Sequence, residues 1–271
     1  MHGLRRDPID KFYTKDSIAK LCIDHLRSVV QLTDNTLIIE PSAGAGAFIP
    51  HLLTLTENCK FYDIRPEHKD IIEQDFLQLS TNVDQYASVW VVGNPPFGRQ
   101  STTAIKFITK ACSFADLIAF ILPRSFKKPS MSRMFPPNFH LLSSIDLPAD
   151  SFTVASQDYA VPCVFQIYER RDYTRIETTK PEPIGFRFVK KTEPHDCAVR
   201  RIGVYAGAVS LDTESKSIQS HYFIKFDNVD LIRVVEELEK INFSFDNTVG
   251  PRSLSKGEIV LEFNRVLQSL N

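Results

Sequence analysis

Short apolar runs separated by helix-length segments are what most constrain the folds open to this chain. Thr36–Glu40 (TLIIE), Lys60–Ile64, Ser88–Gly93 (SVWVVG) and Leu117–Leu122 (LIAFIL) read as buried strands, and Leu141–Leu147 and Val161–Tyr168 complete the set. Residues 16–31 place Ile18, Leu21, Cys22, Leu26 and Val29 at helical spacing, with Asp16 as candidate N-cap. A further helix should begin near Ala47, and another spans residues 101–113. Strands that alternate with helices need crossover connections, and these cover both faces of a mainly parallel sheet. In such sheets a ligand binds beyond the carboxyl ends of the strands. The uncommon peptides of this chain all fall at those ends.

The pattern changes at about Arg170. The stretch ERRDYTRIETTKPEP is charged and proline-containing and reads as a linker or exposed excursion. Beyond it come strand-like IGFRFV and HYFIKF, the patch RRIGVYAGAV, and helices near 229–241 and 254–269. The expected organisation is a ligand-binding domain over 1–170 and a small lobe over 171–271, too short to rely on a core of its own.

No apolar run approaches the ~20 residues that cross a bilayer, and MHGLRRDPIDKFYTKD has charges but no apolar core behind them. The expectation is an intracellular protein. Five scattered cysteines, with no CxxC or His/Cys cluster, suggest neither a disulfide framework nor a metal site. A formal net charge of −1 excludes a uniformly basic coat but not a local basic track. Between Leu117 and Ile145 there is no acidic residue, while Arg124, Lys127, Lys128 and Arg133 fall there; Arg187, Lys190 and Lys191 form a second cluster, and Arg200 with Arg201 a third.

The peptide IIEPSAGAGAF ends a strand at Glu40 and leads through two glycines, Gly44 and Gly46, towards a helix. Glycines there permit a tight turn and close approach of a ligand to the backbone. The lysine and Ser/Thr of a P-loop are missing, as is the third glycine of the dinucleotide fingerprint. Glu40 can attract a positively charged amino group, and Asp63, ending the next strand, can accept both hydroxyls of a ribose. After SVWVVG comes Asn94-Pro95-Pro96-Phe97-Gly98. Two prolines fix φ and supply no amide hydrogen, so the loop presents carbonyls without competing donors. The Asn94 side-chain oxygen and the Pro95 carbonyl could each accept one hydrogen of an amine. Such gripping turns a delocalised amino nitrogen more tetrahedral and frees its lone pair, with no strong general base required. Phe97 offers a flat face to a planar base, worth roughly 1–3 kcal/mol per stacked base.

The set KFYTK, EPSAGAGAF, YDI, QDF and NPPFG, in that order over about residues 10–170, resembles the class I S-adenosylmethionine-dependent methyltransferases of the adenine-N6 type. It is similar to the subgroup in which a Phe-Tyr-Thr segment precedes the cofactor loop and target recognition lies at the C-terminus. The resemblance implies a Rossmann-like methyltransferase fold, a mainly parallel seven-stranded sheet, with a small C-terminal substrate-recognition lobe. It implies S-adenosylmethionine as cofactor, held at its methionine end by Phe12, Tyr13 and Thr14. The cofactor loop would supply Glu40, Pro41, Ser42, Ala43, Gly44, Gly46 and Phe48, and the ribose would fall to Asp63. Asp75 would meet the cofactor's adenine amine, with Phe76 beside the ring. The family tetrad [D/N/S]-P-P-[Y/F/W] is satisfied by Asn94, Pro95, Pro96 and Phe97. Lys15 stands where proline commonly follows the Phe-Tyr-Thr segment.

Arg124, Ser125 and Phe126, with Lys127 and Lys128, follow the strand LIAFILP and are candidates to line a target-base pocket or contact phosphate. The expected partner is a nucleic acid, DNA ahead of RNA, with no membrane and no protein partner indicated. RNA adenine-N6 methylation stays open. Protein glutamine-N5 methylation would use similar hydrogen bonding but favours tyrosine at the position of Phe97. A non-catalytic partner subunit with the same fold would usually lose the cofactor or tetrad residues retained here.

Overall fold

The computed structural model describes residues 12–80, 82–154, 157–176, 181–227, 229–245 and 252–270. Residues 1–11 of the N-terminal stretch read above for a leader, and part of the charged linker, lie outside the described residues. The chain forms two compact units, divided between Ile176 and Glu177. The boundary falls beyond Arg170 because Arg175 is stitched to the first unit, its guanidinium donating to the carbonyls of Ser132, Phe135 and Pro136.

In the first unit β1 (Tyr13–Thr14), α1 (Asp16–Val29), β2 (Thr36–Glu40), the single turn α2 (Ile49–Leu52), β3 (Cys59–Asp63), β4 (Ile72–Glu73) and β5 (Ser88–Gly93) follow in order. Then come α3 (Thr102–Cys112), β6 (Leu117–Pro123), the single turn α4 (Pro129–Ser132), β7 (Phe139–Asp146), β8 (Phe152–Val154), β9 (Gln157–Tyr159) and β10 (Cys163–Arg170). Seven strands make one sheet in the order β4-β3-β2-β5-β6-β10-β7. Neighbours from β4 to β6 run parallel, and β10 is antiparallel to both β6 and β7. The mainly parallel sheet is what the strand–helix alternation predicts, and its seven strands and Rossmann-like order are what the resemblance implies.

Side chains alternate across a strand, so an apolar run such as TLIIE feeds two cores at once. Ile38 of β2, Trp90 and Val92 of β5 and Ala119 and Ile121 of β6 pack with Ile18, Cys22 and Leu26 of α1. Leu37, Ile39, Val89, Val91, Ile118 and Phe120 pack on the other face with Phe107 and Ile108 of α3. Each of the Leu, Ile, Val and Phe side chains contributes about 1.5–3 kcal/mol by leaving water.

Helix α1 differs from its sequence reading in two details. Its buried stripe is Ile18, Ala19, Cys22, Ile23 and Leu26, while Leu21 is 39% exposed. Leu21 lies about 100° around the helix from Cys22 and so turns away from the sheet. Asp16 is the first helical residue, not the cap; Lys15 holds that position without a side-chain cap bond. Asp16 instead bonds His51 Nε2 at 2.8 Å.

A separate three-stranded ribbon, β1-β8-β9, joins the Phe-Tyr-Thr segment to the chain after β7: Tyr13 pairs with Thr153 and Thr14 with Phe152. No apolar run in the sequence marked these strands.

The second unit holds β11 (Phe186–Val189), β12 (Cys197–Arg200), β13 (Val209–Ser210), β14 (His221–Phe226), α5 (Leu231–Glu239) and α6 (Lys256–Leu270). Its sheet, β11-β14-β12-β13, is antiparallel throughout. Cys197, Val199, Ile224 and Phe226 pack against Val234, Leu238, Ile259 and Phe263 of the two helices. The lobe therefore has its own hydrophobic core, which its length alone did not lead us to expect.

Candidate active site

Strands β3, β2 and β5 are parallel neighbours, so Glu40, Asp63 and Asn94 emerge at one edge of the sheet. The chain moves outward from β2 to β3 and β4, then returns to the far side of β2 as β5. A crevice opens at that reversal. It holds a cavity of about 310 Å³ whose walls include Phe12, Tyr13, Pro41, Ser42, Gly44, Asp63, Asp75, Phe76 and all of Asn94–Phe97. A smaller hollow of about 50 Å³ adds Thr14, Glu40, Ala43 and Phe48, and shares Phe12, Tyr13, Ser42, Gly44 and Asn94.

The loop after β2 is clamped by Asp63. Gly44 takes φ +54 and donates its amide to Asp63 Oδ2 at 2.8 Å, while Arg65 N donates to Asp63 Oδ1 at 2.8 Å. Each carboxylate oxygen keeps a further lone pair for a ligand hydroxyl. Gly46 lines neither cavity; a Cβ there would stand 2.9 Å from Ile49 Cδ1, so its role is to let the loop turn into α2. Glu40 is 2% exposed and its Oε2 is buried without a hydrogen-bond partner among the described residues. Burial, with repulsion from Asp63, pushes its carboxyl up to about 8. Gly93 makes room for it, since a Cβ would lie 3.1 Å from Glu40 Cγ.

Asp75 accepts the Leu77 amide at 2.9 Å and fixes a short 3-10 turn. That turn lays Phe76 against Phe107, with ring centroids 5.3 Å apart and 27° between planes.

Asn94 is held from several sides. Its Nδ2 donates to Thr14 Oγ1 at 3.0 Å and to the Phe12 carbonyl at 3.5 Å, and its own carbonyl accepts from Ser42 Oγ at 3.0 Å. A carbonyl only accepts, so the Phe12 contact decides which end of the amide faces it. Asn94 Oδ1 is left buried and without a hydrogen-bond partner among the described residues. No described backbone amide donates to the Pro95 carbonyl. The far end of the loop is docked on α3, where Thr103 N and Ala104 N donate to the Phe97 carbonyl at 3.2 and 3.3 Å. Phe97 is 7% exposed and its ring stacks on Phe12 at 6.3 Å and 26°. Phe12 therefore meets the tetrad directly, which sequence reasoning had placed only beside the cofactor.

The basic segment after β6 lies elsewhere. Arg124 and Lys127 converge on Asp146, at 3.2 and 2.7 Å. Phe126 is 1% exposed within the core beside α3 and has no face for a nucleotide. Ser125 accepts the Lys128 amide in a backbone turn, and none of these five residues lines either cavity. Conversely, Ile64, Arg65, Glu67, Leu77, Thr103 and Phe107 line the larger cavity and were not singled out. Ile64 and Leu77 could have been found as immediate neighbours of Asp63 and Phe76. Glu67, which accepts the Tyr13 hydroxyl at 2.7 Å, carries no local signal.

No protein-family model matches the chain, and no curated protein matches its sequence. Solved structures do resemble it. A Pyrococcus horikoshii protein, provisionally described as an RNA methyltransferase, is 14% identical at a TM-score of 0.47, covering 63% of this chain and 92% of its own. A Listeria monocytogenes protein, provisionally described as a class I S-adenosylmethionine-dependent methyltransferase, is 18% identical at 0.45, with 66% of each chain covered. The modification subunit of a provisionally assigned type I restriction enzyme from Vibrio vulnificus is 15% identical at 0.43, covering 59% of this chain and 44% of that one. At this identity the likeness is one of fold alone.

Proposed function

We propose that this chain is an S-adenosylmethionine-dependent methyltransferase acting on the exocyclic amine of adenine in a nucleic acid, with DNA ahead of RNA on the order of its motifs. The observation that carries the reading is Asn94 Oδ1: a buried acceptor with no partner among the described residues, its amide oriented by Thr14 and Phe12, on the wall of the cavity. An unmet buried acceptor costs about 1–3 kcal/mol. A fold keeps such a group where a ligand's hydrogen will meet it.

The residues present fit the cofactor. Glu40 supplies a buried carboxylate oxygen, without a partner among the described residues, for an ammonium group, and Asp63 has lone pairs to spare for ribose hydroxyls. Asp75 and Phe76 supply an acceptor and a ring edge for an adenine, and Gly44 lets a ligand approach the backbone. When bound, S-adenosylmethionine supplies an electrophilic methyl on a sulfonium.

The protein's own share of the chemistry is positional. Asn94 Oδ1 and the Pro95 carbonyl accept the two hydrogens of the target amine, which draws its lone pair out of conjugation and frees it to react. Because the acceptors are fixed by Thr14, Ser42 and the docked Phe97 carbonyl, they need no reorganisation as charge develops. Phe97 and Phe12 give the planar substrate an aromatic wall. Glutamine side chains also present an –NH2, yet they have no ring for that wall to hold.

The test is transfer of a labelled methyl from S-adenosylmethionine onto DNA, RNA and glutamine-containing peptides, with digestion to identify the product. N6-methyladenine in the nucleic-acid fraction is the expected product. Label appearing only in peptide, or none at all despite cofactor binding, would overturn the assignment; label in RNA but never DNA would reverse the preference between polymers.

A further inference from the structure

Several basic residues of the second unit are engaged within the fold. Arg187 pairs with Asp227, and Lys191 Nζ donates to the carbonyls of Glu214 and Lys216. Lys225 is likewise paired with Asp196, and Lys216 with Asp212. Three cations without an ion pair to any described carboxylate, drawn from distant parts of the chain, are instead held over aromatic rings. Arg201 lies over the Tyr222 ring at 5.4 Å, and Lys256 over the same ring at 5.7 Å and over Phe188 at 4.7 Å. Arg252 lies over Phe245 at 5.1 Å.

Backbone pairing brings these groups together. Ile202 and Ser253 form an antiparallel bridge, Gly203 N donates to the Arg252 carbonyl at 2.8 Å, and Leu254 N donates to the Arg201 carbonyl at 2.8 Å. The turn that leaves this bridge exposes Val204 at 73% and Tyr205 at 71%. The rings beneath the cations hold their stems in place without cancelling their charge. What results is a group of three ring-supported cations, none paired with a described carboxylate, beside an exposed tyrosine.

The geometry points to a single-stranded nucleic-acid binding surface built from Arg201, Arg252 and Lys256, which meet phosphates, and Tyr205, on which an unpaired base stacks. Unneutralised cations select a polyanion, and an exposed aromatic beside them distinguishes a strand with free bases from an anionic surface without rings. A duplex keeps its bases stacked on each other and offers the tyrosine nothing. This inference rests on the proposed reading for the polymer's role as substrate, but its binding test does not depend on methyl transfer.

Fluorescence anisotropy of the full chain with labelled single-stranded DNA and RNA oligonucleotides, across a salt series, tests it. The double variant Arg201→Gln/Lys256→Gln should bind at least ten-fold more weakly, with the salt slope reduced by about 1.4, from ~0.7 per lost phosphate contact. Tyr205→Ala removes only an exposed side chain and should weaken binding by roughly five- to a hundred-fold. Arg265→Gln, an exposed change at a residue paired with Glu262, should bind as wild type does. Calorimetry with S-adenosylmethionine should be unaltered in every variant, so loss of this surface is distinguishable from failure of the methyltransferase reading. Wild-type affinity in both the double variant and Tyr205→Ala overturns the proposal. So does wild-type protein that ignores single strands, prefers duplex, or is competed off equally well by polyglutamate.

Discussion

Replacing Glu40 by glutamine keeps the side chain's shape and removes its titration. In the folded chain, burial and then the nearby Asp63 raise this carboxyl from 4.5 to about 8. A carboxyl shifted upward favours the fold while it is protonated. That contribution is fully present below the unfolded value and is lost as the pH climbs through the folded one. The window is therefore from 4.5 to about 8. At 1.36 kcal/mol per unit, such a displacement has a ceiling of about 5 kcal/mol, and relaxation with water entry reduces it to an expected 1–3 kcal/mol or so. Urea unfolding of the ligand-free wild type and Glu40→Gln from pH 4 to 9 reads this directly. The wild type should lose stability relative to the variant across the window and run parallel to it above. Saturating S-adenosylmethionine should close the gap, because a bound ammonium favours the ionised carboxylate. Binding near neutral pH should then release a proton from the wild type only, seen as an enthalpy that varies with the buffer. A stability difference that is constant with pH, or equal proton release in both proteins, would refute the placement of an ammonium at Glu40.

Other perturbations separate the parts of the pocket. Asp63→Ala should weaken S-adenosylmethionine binding about 10- to 100-fold by calorimetry, the scale of charged hydrogen bonds worth ~1.5–3 kcal/mol; unchanged affinity would remove Asp63 from the cofactor site. Thr14→Val, which takes away the acceptor for Asn94 Nδ2 at 3.0 Å, should lower turnover about ten-fold or more with little change in cofactor Kd, and Thr14→Ser should restore it. Equal losses in the valine and serine variants would mean that the hydroxyl does not orient the amide. Gly98→Ala places a Cβ 2.2 Å from Thr103 Oγ1 at φ +69, and should cost about 1–3 kcal/mol in thermal unfolding. A wild-type Tm there would show that the loop is looser than its docking on α3 implies.

The sequence disclosed what depends on local periodicity. TLIIE, SVWVVG and LIAFIL are apolar on both strand faces, which only a covered parallel sheet accommodates, and their ends point to Glu40 and Asn94 without further information. Contacts over long separations were not legible. Thr14 becomes a strand residue only by pairing with Phe152, and nothing near either residue announces the other. Charge runs misled for a related reason. Arg124 and Lys127 look unopposed in their own segment, yet the chain folds Asp146 from the end of β7 onto both. Phe126 looked like a pocket residue because it follows a strand end, but the 3-10 turn after β6 directs it into the core. Arg201, Arg252 and Lys256, which pair with no described carboxylate and lie over rings, are not one run in the sequence at all.

Everything proposed for this pocket depends on an acceptor, Asn94 Oδ1, that is buried with no donor among the described residues. Single-turnover methyl transfer to an adenine-containing oligonucleotide, set beside S-adenosylmethionine calorimetry for wild type and Asn94→Ala, examines that dependence most directly. The expected result is a rate lowered by roughly 100- to 1000-fold with cofactor affinity within about threefold of wild type. A variant that transfers methyl at the wild-type rate, or one whose rate falls only in step with lost cofactor binding, would contradict it.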